Sequence, residues 1–210
     1  MTGVTTGEVL LIGGGGHARV VRDTLEVMGR TCLGIVASEP SSAIGLSYIG
    51  DDAAAFRRFP QGGEAALGLG GVPRQGVPGT GLRRQVYETY TARRFRFPPL
   101  IGRGVIMATD VMLADGAQVI AGAILQPGVQ LGRNALVNTG ARIDHDTVIA
   151  DHAMIGPGAV LCGGVAIGIG AYVGAGAIVL QGVRIGPDAV VAAGAVATRD
   201  VEAGGFVGRP

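Results

Sequence analysis

From Ile101 to Glu202 an aliphatic residue returns at every sixth position through seventeen consecutive hexads without an insertion. The series runs from Ile101, Met107 and Leu113 through Ile143, Ile149 and Ile155 to Val191 and Ala197, and only the last member is small. Four places after each leader stands a second series of smaller residues, among them Ala117, Ala135, Ala153, Ala171 and Ala189. Neither lattice fits a helix, which turns once in about 3.6 residues. A six-residue period is the signature of a parallel β-helix: six residues form one flat side and three sides close a triangular coil. Seventeen hexads then stack into between five and six coils, and at the spacing of paired strands the prism stands about 25 Å tall. A two-sheet sandwich would instead show period-two alternation with irregular turn spacing.

Ahead of the hexads the pattern changes. Glu8 to Ile12 reads as a buried strand that runs into Gly13-Gly-Gly-Gly-His17. A helical face made of Val21, Thr24, Leu25 and Met28 follows, over about residues 18–28, with Gly29 as its stop. The pattern then predicts a strand over 31–36, a short strand over 46–49, a helix over 51–59 opened by Asp51-Asp52, and a strand over 66–69. After a glycine- and proline-rich surface loop, Gly70 to Gly81, a helix is predicted over 82–94, with Arg83, Arg84, Arg93 and Arg94 on its solvated face. Pro98-Pro99 marks the boundary. The expectation is an α/β N-terminal domain with a small parallel βαβ sheet, residues 1–98, followed by an all-β parallel β-helix, residues 99–210.

The glycine turn leaves backbone N–H groups at a helix start, where a phosphate can bind. A glycine-rich turn also serves purely as a tight turn, and no complete G-x-G-x-x-G pattern is present. His17 could lean on a bound sugar or phosphate, or cap the helix; local sequence favours the cap.

Charge adds exclusions. The 17 basic and 16 acidic side chains nearly cancel, and no Lys/Arg cluster is interleaved with aromatics, so nothing calls for nucleic acid. Cys32 and Cys162 lie in different segments, which fits reduced thiols and a cytoplasmic location. The longest apolar run near the start, Val9 to Ile12, is too short for a signal segment or a membrane span.

Outward positions of the prism are mostly Gly, Ala, Pro, Arg or Asp, with one exception. Asn138-Thr-Gly-Ala-Arg-Ile-Asp-His145-Asp146 places an imidazole between two carboxylates in the middle coils. His145 is the third residue of its hexad and should project outward. A neighbouring carboxylate can fix its tautomer and stabilise the imidazolium that forms when it takes a proton; the plainer alternative is a surface histidine paired with Asp146. Zinc would call for three imidazoles, and only His145 and His152 lie on the prism, so no metal is expected. Cys162 has no neighbouring base to activate it.

Three stretches together carry a resemblance: Leu10-Leu-Ile-Gly-Gly-Gly-Gly-His-Ala18, then Val137-Asn-Thr-Gly140 with Ile143-Asp-His-Asp146, and the ending Val207-Gly-Arg-Pro210. With these the chain resembles hexapeptide-repeat sugar O- and N-acetyltransferases of the sialic-acid O-acetyltransferase type, including bacterial N-acetyltransferases of nucleotide-linked amino sugars. The resemblance implies a left-handed prism and a homotrimer, with acetyl-CoA as co-substrate in the groove between neighbouring prisms. It makes His145 the general base, oriented by Asp146. Direct transfer through a tetrahedral intermediate would need an oxyanion donor, a backbone N–H or Asn138, and Asn138 is expected at the substrate. Acetyl-CoA contacts fall at Gly163, Ala175 and Ala193. Met154 stands where relatives often carry a second histidine near the acyl carbonyl, while His152 lies two places earlier. Nucleotide-sugar contacts fall at Gly15, Gly16 and His17. Ala37-Ser38 replaces the acidic pair that relatives use for uridine nucleotides. The implied activity is acetyl-CoA-dependent N-acetylation of a nucleotide-activated 4-amino-4,6-dideoxyhexose for a surface glycan such as an O-antigen. The alternatives are O-acetylation of a sugar hydroxyl and a non-catalytic scaffold or nucleotide-sugar sensor.

Overall fold

Val9, Leu10, Leu11 and Ile12 are all buried because both faces of their strand are covered. A computed structural model of the chain describes residues 7–40, 45–71, 73 and 78–208. It begins with β1 (Glu8–Ile12), α1 (Gly16–Val27), β2 (Thr31–Val36), β3 (Tyr48–Gly50), α2 (Asp52–Arg58), β4 (Glu64–Leu67) and α3 (Gly81–Ala92). The four strands form a parallel sheet in the order β3-β2-β1-β4. Alternate residues of β1 divide between two cores. Val9 and Leu11 meet Ala18, Val21 and Leu25 of α1. Leu10 and Ile12 share the other cluster with Ala55 of α2 and with Tyr87 and Tyr90 of α3.

Several boundaries differ from those the sequence predicts. α1 begins at Gly16, so His17 lies inside its first turn; Gly15 is the N-cap and no side chain caps it. The capping role for His17 is therefore wrong. β3 and β4 are each displaced by about two residues, because their register is set by pairing with β2 and β1 rather than by their own composition. Arg83 is the larger correction. It is 0% exposed, although its helix position reads as solvent-facing. α3 lies across the end of β4, and Arg83 Nη1 donates to Leu69 O at 2.8 Å and to Leu67 O at 3.4 Å. Much of the glycine-rich loop lies outside the described residues, as do Arg209 and Pro210 of the terminal motif.

From Leu100 onward the chain is a left-handed parallel β-helix. Two-residue strands pair in register with the strand eighteen residues on, as Leu136 with Met154 and Arg142 with Val160, so one coil is three hexads. The three sides are sheets of five, seven and six strands. Leaders and small residues interlock in one continuous core that includes Val119, Ala135, Ile143, Ala153, Ile155, Ala171 and Val191. Burying such columns, at about 25 cal/mol per Å² of apolar surface, is what holds strands of two residues together. Corner residues close against the next coil: a Cβ on Gly174 would stand 2.3 Å from Ala193 N, and one on Gly168 2.5 Å from Pro187 N.

The seven-stranded side carries the N-terminal sheet. Leu100 joins the α1 cluster, and Ile120, Leu136 and Met154 form a small buried cluster of their own. α3 is fastened to the edge between the five- and seven-stranded sides. There Tyr87 Oη donates to Asp115 O at 3.2 Å, and Thr80 Oγ1, just ahead of the helix, donates to Gly170 O at 2.9 Å. His152 belongs to this joint. It is buried, accepts at Nδ1 from Asn134 Nδ2 at 3.0 Å and meets the Tyr87 ring edge-on at 5.7 Å. Burial, helped by the charge of Arg84, lowers its pKa.

Candidate active site

His145 stands on the edge between the six- and five-stranded sides, in the turn that follows the strand Arg142–Ile143. Asp144 Oδ1 accepts from the backbone N–H of His145 at 2.8 Å and shapes the turn. Asp146 adopts a left-handed backbone with φ 56°, which carries its carboxylate back beside the ring. Its Oδ2 lies 2.9 Å from His145 Nδ1. A carboxylate can only accept, so Nδ1 is the protonated nitrogen and Nε2 keeps the lone pair. The side chain is 53% exposed. The hydrogen bond to Asp146 raises its pKa above the ordinary imidazole value, and the charge of Asp144 adds to the effect. Nε2 lies over Gly163, one coil further along the same edge, where a Cβ would stand only 2.5 Å from it. The ring thus occupies the space that any side chain at position 163 would fill.

A second group of residues gathers on another edge and on the seven-stranded side. A cavity of about 470 Å³ is lined by Gly15, Gly16, His17, Gly68 to Gly71, Asn138, Met154, Gly156 and Tyr172. His17 crosses from α1 to the prism, its Nε2 3.0 Å from Gln118 Oε1. Burial, then the charge of Arg83, lowers its pKa to about 4. Asn138 Oδ1 accepts from the Thr139 backbone N–H at 2.8 Å, which leaves its amide nitrogen as a donor. A Cβ at Gly15 or Gly16 would meet none of the described residues within 4 Å, and both glycines line this cavity. Met154 is buried beneath this cavity rather than on the His145 edge, and its Sδ would be 3.0 Å from a Cβ at Gly71.

A further cavity of about 380 Å³ opens at the ends of β1 and β2, lined by Gly13, Gly14, Ala37, Ser38, Asp51, Asp52 and Leu82. Two carboxylates therefore stand across from Ala37 and Ser38, contributed by the start of α2. Asp51 Oδ1 caps Ala54 N at 2.8 Å, and Asp52 Oδ1 accepts from Tyr90 Oη at 2.7 Å.

The anticipated site residues thus divide. His145, Asp146 and Gly163 share one edge. Asn138, Ala175 and Ala193 lie in turns of the next edge, beyond the six-stranded side. Gly15, Gly16, His17 and Met154 surround the first cavity, and Ala37 and Ser38 the second. Sequence reasoning missed Gln118, Tyr172 and the placement of Asp51-Asp52. Gln118 and Gln130 hold the same place in their hexads, and only packing under the N-terminal sheet distinguishes them. Among the described residues no three His, Cys, Asp or Glu side chains gather as metal ligands, and no helix is long and apolar enough to cross a membrane.

Residues 8–74 match the family model of the PglD N-terminal domain. The chain is similar to a histidine-to-asparagine mutant of perosamine N-acetyltransferase from Caulobacter crescentus, solved in complex with CoA and GDP-perosamine. The identity is 32% and the TM-score 0.85, covering 95% of this chain and 92% of that one. It is also similar to the acetyltransferase domain of PglB from Neisseria gonorrhoeae FA1090 in complex with acetyl coenzyme A. There the identity is 28% and the TM-score 0.85, with 95% and 94% of the chains covered. WeeI from Acinetobacter baumannii shares the fold at 16% identity and a TM-score of 0.54. No curated protein matches the chain by sequence.

Proposed function

We propose, since the chain belongs to the hexapeptide-repeat acyltransferases that acetylate amino sugars from acetyl-CoA, that its acceptor is the amine of a nucleotide-linked 4-amino-4,6-dideoxyhexose and that His145 is the general base. The observation that carries the reading is the His145–Asp146 pair, with Nε2 bare and exposed over Gly163. A sugar amine is largely an ammonium at neutral pH and attacks as the neutral amine, after one proton has been lost to solvent. As its nitrogen bonds to the thioester carbonyl, a proton passes to Nε2, and Asp146 balances the imidazolium. The carbonyl oxygen gains charge in the tetrahedral intermediate, and the Asn138 amide nitrogen or a turn N–H is the donor suited to it. The intermediate collapses by breaking the C–S bond; the sulfur takes up the proton held by the imidazolium and leaves as the CoA thiol, and the amide remains on the sugar. Holding both reactants side by side supplies much of the rate.

The nucleotide belongs to the N-terminal sheet. The free N–H groups at the start of α1 suit the diphosphate, and the cavity between Ala37-Ser38 and Asp51-Asp52 suits the nucleoside. GDP is the first nucleotide to test, because the Caulobacter enzyme was solved with GDP-perosamine.

The working unit in this reading is a homotrimer. Asn138, Ala175 and Ala193 lie on one edge of the prism and His145 with Gly163 on another, so a second chain is needed to bring the two sets together. The outward residues of the six-stranded side support such packing. Ile106, Ile124, Val160, Ile178 and Val196 form an in-register aliphatic ladder broken only by Arg142. At its ends Ile106 is 64% and Val196 40% exposed, and an apolar strip of that kind marks an interface.

The test is release of CoA thiol from acetyl-CoA with a panel of GDP-, UDP- and dTDP-linked amino sugars, with the matching hydroxyl sugars as controls. Turnover with an amino sugar that falls about 10²–10⁴-fold in His145→Ala, with acetyl-CoA binding retained, is expected. Turnover of only the hydroxyl sugars, or of none, rejects the reading.

A further inference from the structure

The polar groups beneath the first cavity can be given hydrogen-bonding roles one at a time. Gln118 is 2% exposed, and its Nε2 lies 2.9 Å from Leu67 O, the carbonyl that Arg83 also approaches. A carbonyl only accepts, so the amide must turn its nitrogen to Leu67 and its oxygen to His17. That oxygen, 3.0 Å from His17 Nε2, is likewise an acceptor. Nε2 therefore carries the proton. In a neutral ring this leaves Nδ1 as a bare lone pair, and Nδ1 has no protein partner among the described residues.

The surroundings keep the ring neutral. Arg83 is fully buried, its Nε and Nη2 have no hydrogen-bond partner among the described residues, and its charge opposes a second cation beside it. His17 itself lines the cavity, between the open start of α1 and Asn138, Met154 and Tyr172 of the prism.

We propose that Gln118 is a positioning residue that holds His17 in the Nε2–H tautomer, and that His17 thereby serves as a hydrogen-bond acceptor, through Nδ1, for an amino or hydroxyl group of the sugar. A bare lone pair repels phosphate oxygens, so the diphosphate is left to the N–H groups of the glycine turn. The ring also sits too low in basicity to compete with His145 for the reaction proton. Only the identity of the ligand rests on the function proposed above; the tautomer does not.

The chain has three histidines, so long-range ¹H–¹⁵N correlation spectra of histidine-labelled protein, assigned by single substitutions, read each tautomer directly. Without ligand, His17 is expected as the Nε2–H form, and to stay neutral through the pH range in which His145 titrates. An Nδ1–H form or an imidazolium there overturns the proposal. GDP-perosamine should move the His17 Nδ1 resonance, whereas GDP alone should move the Gly15 and Gly16 amides and leave Nδ1 in place. Equal shifts with GDP alone overturn the assignment to the sugar. Gln118→Met should release the tautomer and raise the KM for the sugar nucleotide about tenfold, the scale of one lost polar contact, with the KM for acetyl-CoA unchanged. A purely structural Gln118 would lower the melting temperature and leave the His17 spectrum as it was, which also overturns the proposal. If neither nucleotide shifts any resonance while the ligand-free spectrum shows Nε2–H, the proposed substrate falls and the Gln118–His17 assignment stands.

Discussion

Asp146 reaches His145 because its backbone is left-handed, a conformation that an Asp tolerates better than most residues. The contact has a pH signature. Because Asp146 raises the His145 pKa, the imidazolium persists to higher pH than in a free histidine. A general base must be neutral, so kcat/KM should rise with pH through that raised value. Asp146→Asn removes the support, so the rising limb should move to lower pH while the plateau falls about tenfold or more. A limb that stays in place when kcat/KM is measured from pH 5 to 9 would separate His145 from the chemistry. His145 and Asp146 were legible in the sequence, since neighbouring residues in one outward turn must meet. The His17–Gln118 contact was not, because its partners are 101 positions apart and the hexad pattern says only that Gln118 points outward. Arg83 was misread for a similar reason: helical spacing describes a face, and what lies against that face is decided by the sheet.

At the scale of elements, a period fixes far more than an individual residue does. Each hexad leader points inward and its predecessor outward, which is the period-two alternation of a strand compressed into two residues. Ile149 and Val148 make the contrast within one strand, the first fully buried and the second 43% exposed. Ile149→Ala should cost about 2–5 kcal/mol through the lost contacts and the cavity left between coils, and Val148→Ala within about 0.5 kcal/mol. Urea unfolding of the two variants measures the difference, and equal costs would mean that the core is misassigned. The elements of the N-terminal sheet were legible as a sequence of types, strand, helix, strand and so on, but their ends were less so. β3 and β4 are short segments whose register comes from their neighbours, and nothing local marks where the pairing stops.

At the scale of the molecule, the two halves of the proposed site stand on different edges of one prism, so activity and assembly should be lost together. Ile178→Arg places a charge next to the C-terminal rung of the aliphatic ladder on the six-stranded side, two coils from the strand that precedes His145. It is expected to shift sedimentation from trimer to monomer at micromolar concentration and to abolish turnover, while the far-ultraviolet circular dichroism spectrum is unchanged. A fully active monomer would show that one chain suffices. The uninterrupted count of hexads carries a last consequence. With three hexads to a coil, excising a single hexad between the N-terminal sheet and His145 would keep every downstream hexad leader inside the prism yet rotate the rest of the stack by a third of a turn, breaking the joint at His152 and Gly170 and pointing the imidazole at the wrong neighbour. Excising three would shorten the prism and restore its direction. Length in this chain therefore works as an angular address, and natural deletions compatible with activity should come in multiples of eighteen.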